Sequence, residues 1–138
     1  MSVRLLHTCF FVTILLTNAN AACLDISVGA APVQLSGKLT REVFPGRPNY
    51  ESIESGDEPE PAWILVLDAS ICADDEGELA DPNIHFDKVH LYSTEESIRT
   101  VLAKALGNRV AVSGEGFFSH TGHHHAPLVV NVAAISAQ

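Results

Sequence analysis

The sequence predicts a mainly β fold in which one helix separates the third of five strands from the fourth. Three observations carry this. Short segments such as Val33–Leu39 and Lys88–Tyr92 alternate apolar and polar residues with the period of two of a half-buried strand. Clusters of Pro, Gly, Asn and Asp punctuate the chain between them. A single segment, Ile98–Leu106, spaces its apolar residues as a helix face does.

The elements follow in order. Val33–Leu39 is the first strand, with Gly37 as a bend or bulge point. From Phe44 to Pro61 the chain reads as a loop: Pro45-Gly46, Pro48-Asn49, Gly56-Asp57, Pro59 and Pro61 are turn signals, and Phe44, Tyr50 and Ile53 can anchor it. Trp63–Leu67 is a continuous apolar run, a strand buried on both faces or nearly so. Ala73–Pro82 is an acidic connection carrying Asp74, Asp75, Glu76, Glu78 and Asp81. Its spacing does not match a calcium-binding loop, so a solvated acidic turn is expected. Lys88–Tyr92 is the third strand. Ser93-Thr94-Glu95-Glu96 has the pattern of a capping box, and behind it Ile98, Val101, Leu102, Ala105 and Leu106 form the helix stripe that Gly107 ends. Arg109–Gly114 is the fourth strand, continued or closed by Phe117-Phe118, and Leu128–Ile135 is the fifth.

The chain opens with Arg4, an apolar run over Leu5–Leu16, and the small-x-small triplet Ala19-Asn20-Ala21. This is the pattern of a cleaved export signal over residues 1–21. The run is too short for the roughly 20 residues of a membrane span, so no transmembrane segment is expected in the mature form. Residues 22–138 then make one OB-like barrel domain of a periplasmic or secreted protein. A lipid anchor on Cys23 is the weaker alternative, because Asn20 stands where an aliphatic residue is needed. Of the three cysteines, Cys9 leaves with the signal, and Cys23 and Cys72 are expected to pair as a disulfide in an oxidising compartment. The formal net charge is −9, and losing Arg4 makes the mature chain more acidic still. Such a balance repels a phosphate backbone and argues against a nucleic-acid partner.

The order β-β-β-α-β-β is the layout of the oligonucleotide/oligosaccharide-binding (OB) barrel, whose helix plugs one barrel end. Glycines within strands suit the coiling of a small barrel. In such barrels ligands meet one sheet face and the loops after the first and fourth strands. Here those loops are the two most distinctive segments, Phe44–Pro61 and Phe118–Pro127. The second holds four of the seven histidines, His120, His123, His124 and His125. The expected ligand site is therefore Tyr50, Glu51, Asp57, His120, His123, His124 and His125, with a small ligand or an exported protein as partner. Tyr50 and Trp63 offer stacking surfaces, although Trp63 suits the core better. The alternative is a metal-binding protein or metalloenzyme in which His120, His123 and His125 converge on zinc or copper. His85, His90, Asp57 or Glu51 would complete that set. No His-Glu-x-x-His, Gly-x-Ser-x-Gly or Cys-x-x-Cys pattern is present, so no complete catalytic signature supports an enzyme.

One resemblance joins these features. Phe44-Pro45-Gly46-Arg47-Pro48-Asn49-Tyr50-Glu51-Ser52-Ile53 with Gly56-Asp57, then Trp63-Ile64-Leu65, Ile71-Cys72, Val112-Ser113-Gly114 and His120-Thr121-Gly122-His123-His124-His125, resembles the bacterial family catalogued as domain of unknown function 4431. The resemblance runs from Cys23 to Ile135. It implies an exported protein and a shared fold, and supplies no catalytic residues.

Overall fold

A computed structural model describes residues 22–77 and 80–138. The expected signal peptide, Met1–Ala21, and Glu78 of the acidic connection lie outside the described residues. The elements are β1 (Leu24–Asp25), β2 (Val33–Pro45), β3 (Pro59–Ile71), β4 (Ala73–Asp74), β5 (Phe86–Tyr92), α1 (Glu96–Lys104), β6 (Arg109–Phe118) and β7 (Leu128–Ala137). Five strands close into a barrel in the order β2-β3-β5-β7-β6, with β6 returning to β2. Every neighbouring pair is antiparallel except β5 and β7. This is an OB-like barrel, as the sequence predicts, with α1 between its third and fourth strands.

Alternation along the strands fills the barrel. Leu35 and Leu39 of β2, Leu65 and Leu67 of β3, Val89 and Leu91 of β5, Val110 and Val112 of β6, and Leu128, Val130 and Val132 of β7 share one buried core. Leu102 of α1, fully buried, plugs its end. Trp63, in register with Leu91, packs against this core rather than offering an open stacking face. Two close crossings require glycine. A Cβ on Gly37 would stand 2.2 Å from the Val66 carbonyl oxygen, and one on Gly114 only 2.1 Å from that of Asn131. A bulge falls at Ser113/Gly114.

Several expectations are corrected. β2 runs on to Pro45 and β3 begins at Pro59, so the first long loop is residues 46–58 rather than Phe44–Pro61. A proline at a strand end forgoes no ladder hydrogen bond in the strand interior, so these prolines tolerate pairing. The capping box does not form. Ser93 Oγ donates to the Val132 carbonyl at 2.7 Å, tying the helix start to β7, and the Glu95 N-cap makes no side-chain cap. Val101 faces solvent while Ile98, Leu102, Ala105 and Leu106 turn to the core. The short parallel pair β1–β4 was not expected; it lies beside the Cys23–Cys72 disulfide, whose Cα atoms are 4.7 Å apart.

A second apolar layer lies outside the barrel. Ala62, Ile64 and Val129 fall on the strand face opposite Leu65 and Leu128, yet all three are buried. Phe44, Glu60 and His90 share that face by register. The 119–127 loop covers it through contacts with Phe44, Glu60 and His90.

Candidate functional site

The 46–58 loop is built around one buried carboxylate. Asp57, only 4% exposed, accepts backbone N–H bonds from Asn49 (2.8 Å), Glu51 (2.8 Å) and Ser52 (2.9 Å). The amides of Ser52, Glu51 and Asn49 hold its carboxyl below the usual carboxylate range. Gathering the amides of Asn49, Glu51 and Ser52 while the Tyr50 N–H donates to the Gly46 carbonyl bends the chain sharply, and Tyr50 takes a φ of 59°, the left-handed region that bulky residues avoid. The turn presents the Tyr50 ring to the second loop. There Gly122 has no side chain for a reason: a Cβ would lie 2.7 Å from Tyr50 Cγ.

In the 119–127 loop, Ser119 N–H donates to the Pro127 carbonyl and His124 N–H to that of Thr121, closing the turn. Its imidazoles then divide. His123 and His125 reach Glu60 on β3, through Nδ1 to Oε2 at 2.8 Å and through Nε2 to Oε1 at 3.0 Å. A carboxylate only accepts, so both ring nitrogens carry protons. The other nitrogen of His123, Nε2, lies 2.9 Å from Tyr50 Oη and in the neutral ring accepts the phenolic proton's hydrogen bond. His90 Nδ1 accepts the His125 backbone N–H at 3.3 Å, which places the His90 proton on Nε2. A continuous chain, Tyr50–His123–Glu60–His125–His90, thus links both loops to β3 and β5.

Stacking reinforces it. The His125 ring lies flat on Phe44, 4.2 Å between centroids and 3° between planes, with His90 beyond it at 5.5 Å. Its side chain is 7% exposed. Burial, then the charges of His125 and His124, pushes the His90 pKa down to about 4. His124 is lowered as well, by burial first and then by His120, His123 and His125. For Glu60, burial works to raise the carboxyl, but hydrogen bonds from His125 and His123 and their charges outweigh it and leave it lowered.

Of the residues expected at the site, Tyr50, His123 and His125 come together. His120 and His124 form a separate pair, 4.7 Å between rings, against Phe117; His120 N–H donates to His124 Nδ1 and its own Nδ1–H to the Phe118 carbonyl. Glu51 contributes only its backbone N–H, and Asp57 braces its own loop rather than the cluster. His85 lies elsewhere, donating to the Asn83 carbonyl. It lines a cavity of about 560 Å³ beside Cys23, Cys72 and Ser70, toward the opposite end of β3 from Glu60. The metal expectation is not supported. His120 bonds the Phe118 carbonyl while His123 and His125 share Glu60, and among the described residues no group of three or more His, Cys, Asp or Glu side chains is placed to hold an ion.

Glu60 is the residue that sequence reasoning missed, and Phe44 was read only as a loop anchor. Extending the strand alternation would have found both. Glu60 and Phe44 are register partners, and Glu60 lies on the same strand face as Ile64.

Fold and loops together define an OB-like barrel with a histidine-rich cluster on its outer face. Residues 88–136 match the model of the family described as Domain of unknown function (DUF4431), in agreement with the resemblance read from the sequence motifs. The match starts within β5 and ends one residue short of the end of β7, including His90 and the histidine loop; it does not reach Tyr50 or Glu60. A comparison with curated proteins returned no match.

Proposed function

We propose that the chain is a small exported binding module. Its ligand site is the outer barrel face where the 46–58 loop meets the 119–127 loop. The observation that carries this reading is the Tyr50–His123–Glu60–His125 hydrogen-bond chain, which fixes polar groups at a loop junction that OB barrels use for ligands. Glu51, Glu54 and Glu58 rim the first loop and are exposed, so a neutral or cationic polar ligand suits the site and a phosphate backbone does not. Export is supported by the signal-like Met1–Ala21 sequence and by the Cys23–Cys72 disulfide, a bond that persists in oxidising compartments.

Titration with neutral oligosaccharides and lysine-rich peptides, followed by NMR of the imidazole rings, tests the reading. A binding probe is expected to move the His123 and His125 signals. Binding that moves only signals around Cys23, Ser70 and His85 would transfer the site to the cavity at the other end of β3, and a panel that moves none would remove the reading.

A further inference from the structure

Two loops need only be tied together to stay closed, and many pairs of side chains would do it. The tie found here is more specific. A hydroxyl, an imidazole and a carboxylate stand in series at 2.9 and 2.8 Å, with the imidazole in the tautomer that aims a lone pair at the hydroxyl. That is the arrangement by which a nucleophile is activated: a base within hydrogen-bond reach, oriented by a third group. Three further features point the same way. The carboxylate is held on its other oxygen by His125, so it cannot swing away from His123. The hydroxyl belongs to Tyr50, whose strained backbone is held by the Asp57 hydrogen bonds and whose ring sits on Gly122. Tyr50 is half-buried, with its hydroxyl at the surface.

We propose that Tyr50, His123 and Glu60 form an acyl-transfer triad, with Tyr50 Oη as nucleophile, His123 as base and Glu60 as the positioning carboxylate. Oη forms a bond to the acyl carbon while its proton passes to His123 Nε2. Glu60 holds the Nδ1–H and faces the imidazolium that results. The bond from the acyl carbon to the leaving oxygen or sulfur then breaks, and that atom departs with the proton from His123. In the second half, water attacks the Tyr50 ester, His123 takes its proton, and the phenol oxygen recovers it as the acid leaves. No oxidant or reductant is needed.

The phenol also sets the substrate class. A phenol is a far better leaving group than an alkyl alcohol, so an acyl-Tyr50 ester is itself activated. A donor must carry a leaving group at least as good, which selects aryl esters and thioesters over ordinary alkyl esters. The exposed Glu51, Glu54 and Glu58 select neutral or cationic donors over anionic ones. The inference stands apart from the binding reading, because acylation of Tyr50 is measured whether or not any sugar or peptide moves the imidazole signals.

The chain provides its own control. It has two tyrosines, and Tyr92 packs edge-on against Phe117, with no imidazole bonded to its hydroxyl among the described residues. The full chain is treated with p-nitrophenyl acetate, nitrophenolate release is followed, and acetylated tyrosines are mapped by peptide mass spectrometry. Tyr50 is expected to acylate at least about tenfold faster than Tyr92, and about a hundredfold slower in His123→Gln, the range that a general base supplies. Tyr50→Phe gives the background from free imidazoles, and His85→Gln should match the wild type. Tyr50, Glu60 and His124 are titratable groups beside His123, and His125 shares its Glu60 carboxylate. Glu60→Gln should therefore slow Tyr50 acylation and shift its pH–rate profile to lower pH, which a purely structural role would not do. Equal rates at Tyr50 and Tyr92 in the wild-type protein would overturn the proposal even if the His123 variant failed to fold. So would a Tyr50 rate that His123→Gln leaves unchanged in a folded protein.

Discussion

Replacing Glu60 by Gln keeps the shape of the side chain and removes its charge, so it isolates what the carboxylate does for stability. In the wild type two imidazole N–H groups donate to it, at 2.8 and 3.0 Å. An amide has one acceptor oxygen, so one ring must turn away or face an NH₂ donor. A buried charge-assisted hydrogen bond contributes about 1.5–3 kcal/mol and an exposed ion pair well under 1. The Glu60 side chain is 26% exposed and that of His123 45%, so about 1 kcal/mol per bond, or about 2 kcal/mol in all, is the screened figure. The sign with pH follows from the lowered Glu60 carboxyl. A depressed carboxyl contributes stability that is fully present above its unfolded pKa, about 4.3, and is lost as pH falls through its folded value. Urea unfolding of both proteins should therefore show a gap of about 2 kcal/mol at pH 7 that closes below about pH 4. Equal stabilities at pH 7, or a gap undiminished at pH 3, would refute the reasoning.

Other outcomes are expected. Cys23→Ser should cost about 4 kcal/mol, because the disulfide closes a loop of 49 residues; for a chain of this size the melting temperature should fall by roughly 15 °C, as read by calorimetry. Gly114→Ala forces a Cβ to within 2.1 Å of a backbone oxygen that cannot move without opening the β6–β7 pair, so circular dichroism should show loss of the cooperative unfolding transition. His90 should stay neutral by NMR until about pH 4, well after an ordinary imidazole has charged. Its pKa is depressed on folding, so the unfolded chain binds the extra proton first. Stability should therefore fall with pH between about 6.5 and 4, by an amount that His90→Phe reduces.

The barrel was legible because its inner wall obeys a period of two that needs no knowledge of partners. Val33, Leu35 and Leu39, or Val110 and Val112, declare a buried face wherever the strand is placed. The helix was legible in place but not in its cap. Ser93 fits a local pattern, yet a carbonyl 39 residues away in sequence, that of Val132, takes its hydroxyl hydrogen bond. The Ser93 oxygen still accepts one local hydrogen bond, from the Glu95 N–H at 3.2 Å rather than from Glu96, so a motif that describes neighbours along the chain does not fix the cap once a tertiary acceptor orients the hydroxyl. The strand ends failed for a related reason. Pro45 and Pro59 read as turn signals, but they are register partners at the mouth of the β2–β3 ribbon.

That misreading of the strand ends is what hid the site. With residues 44–61 taken as a loop, Glu60 has no face, and Glu51 and Asp57 look like equal candidates to meet the histidines. Once the ribbon is extended, parity alone sets Phe44 and Glu60 side by side on the outer wall with Ile64 and His90. A histidine-rich loop lying over that wall then has one flat ring to stack on and one carboxylate to bond. An acceptor between two donors follows without further choice: His125 fills the stacked position, and His123, two residues earlier, reaches the other carboxylate oxygen. Gly122, one residue before His123, is where the chain touches the Tyr50 ring and must lack a side chain. The Gly-His-His-His run therefore reads as three successive structural demands, in which His124 is the member that turns away to pair with His120.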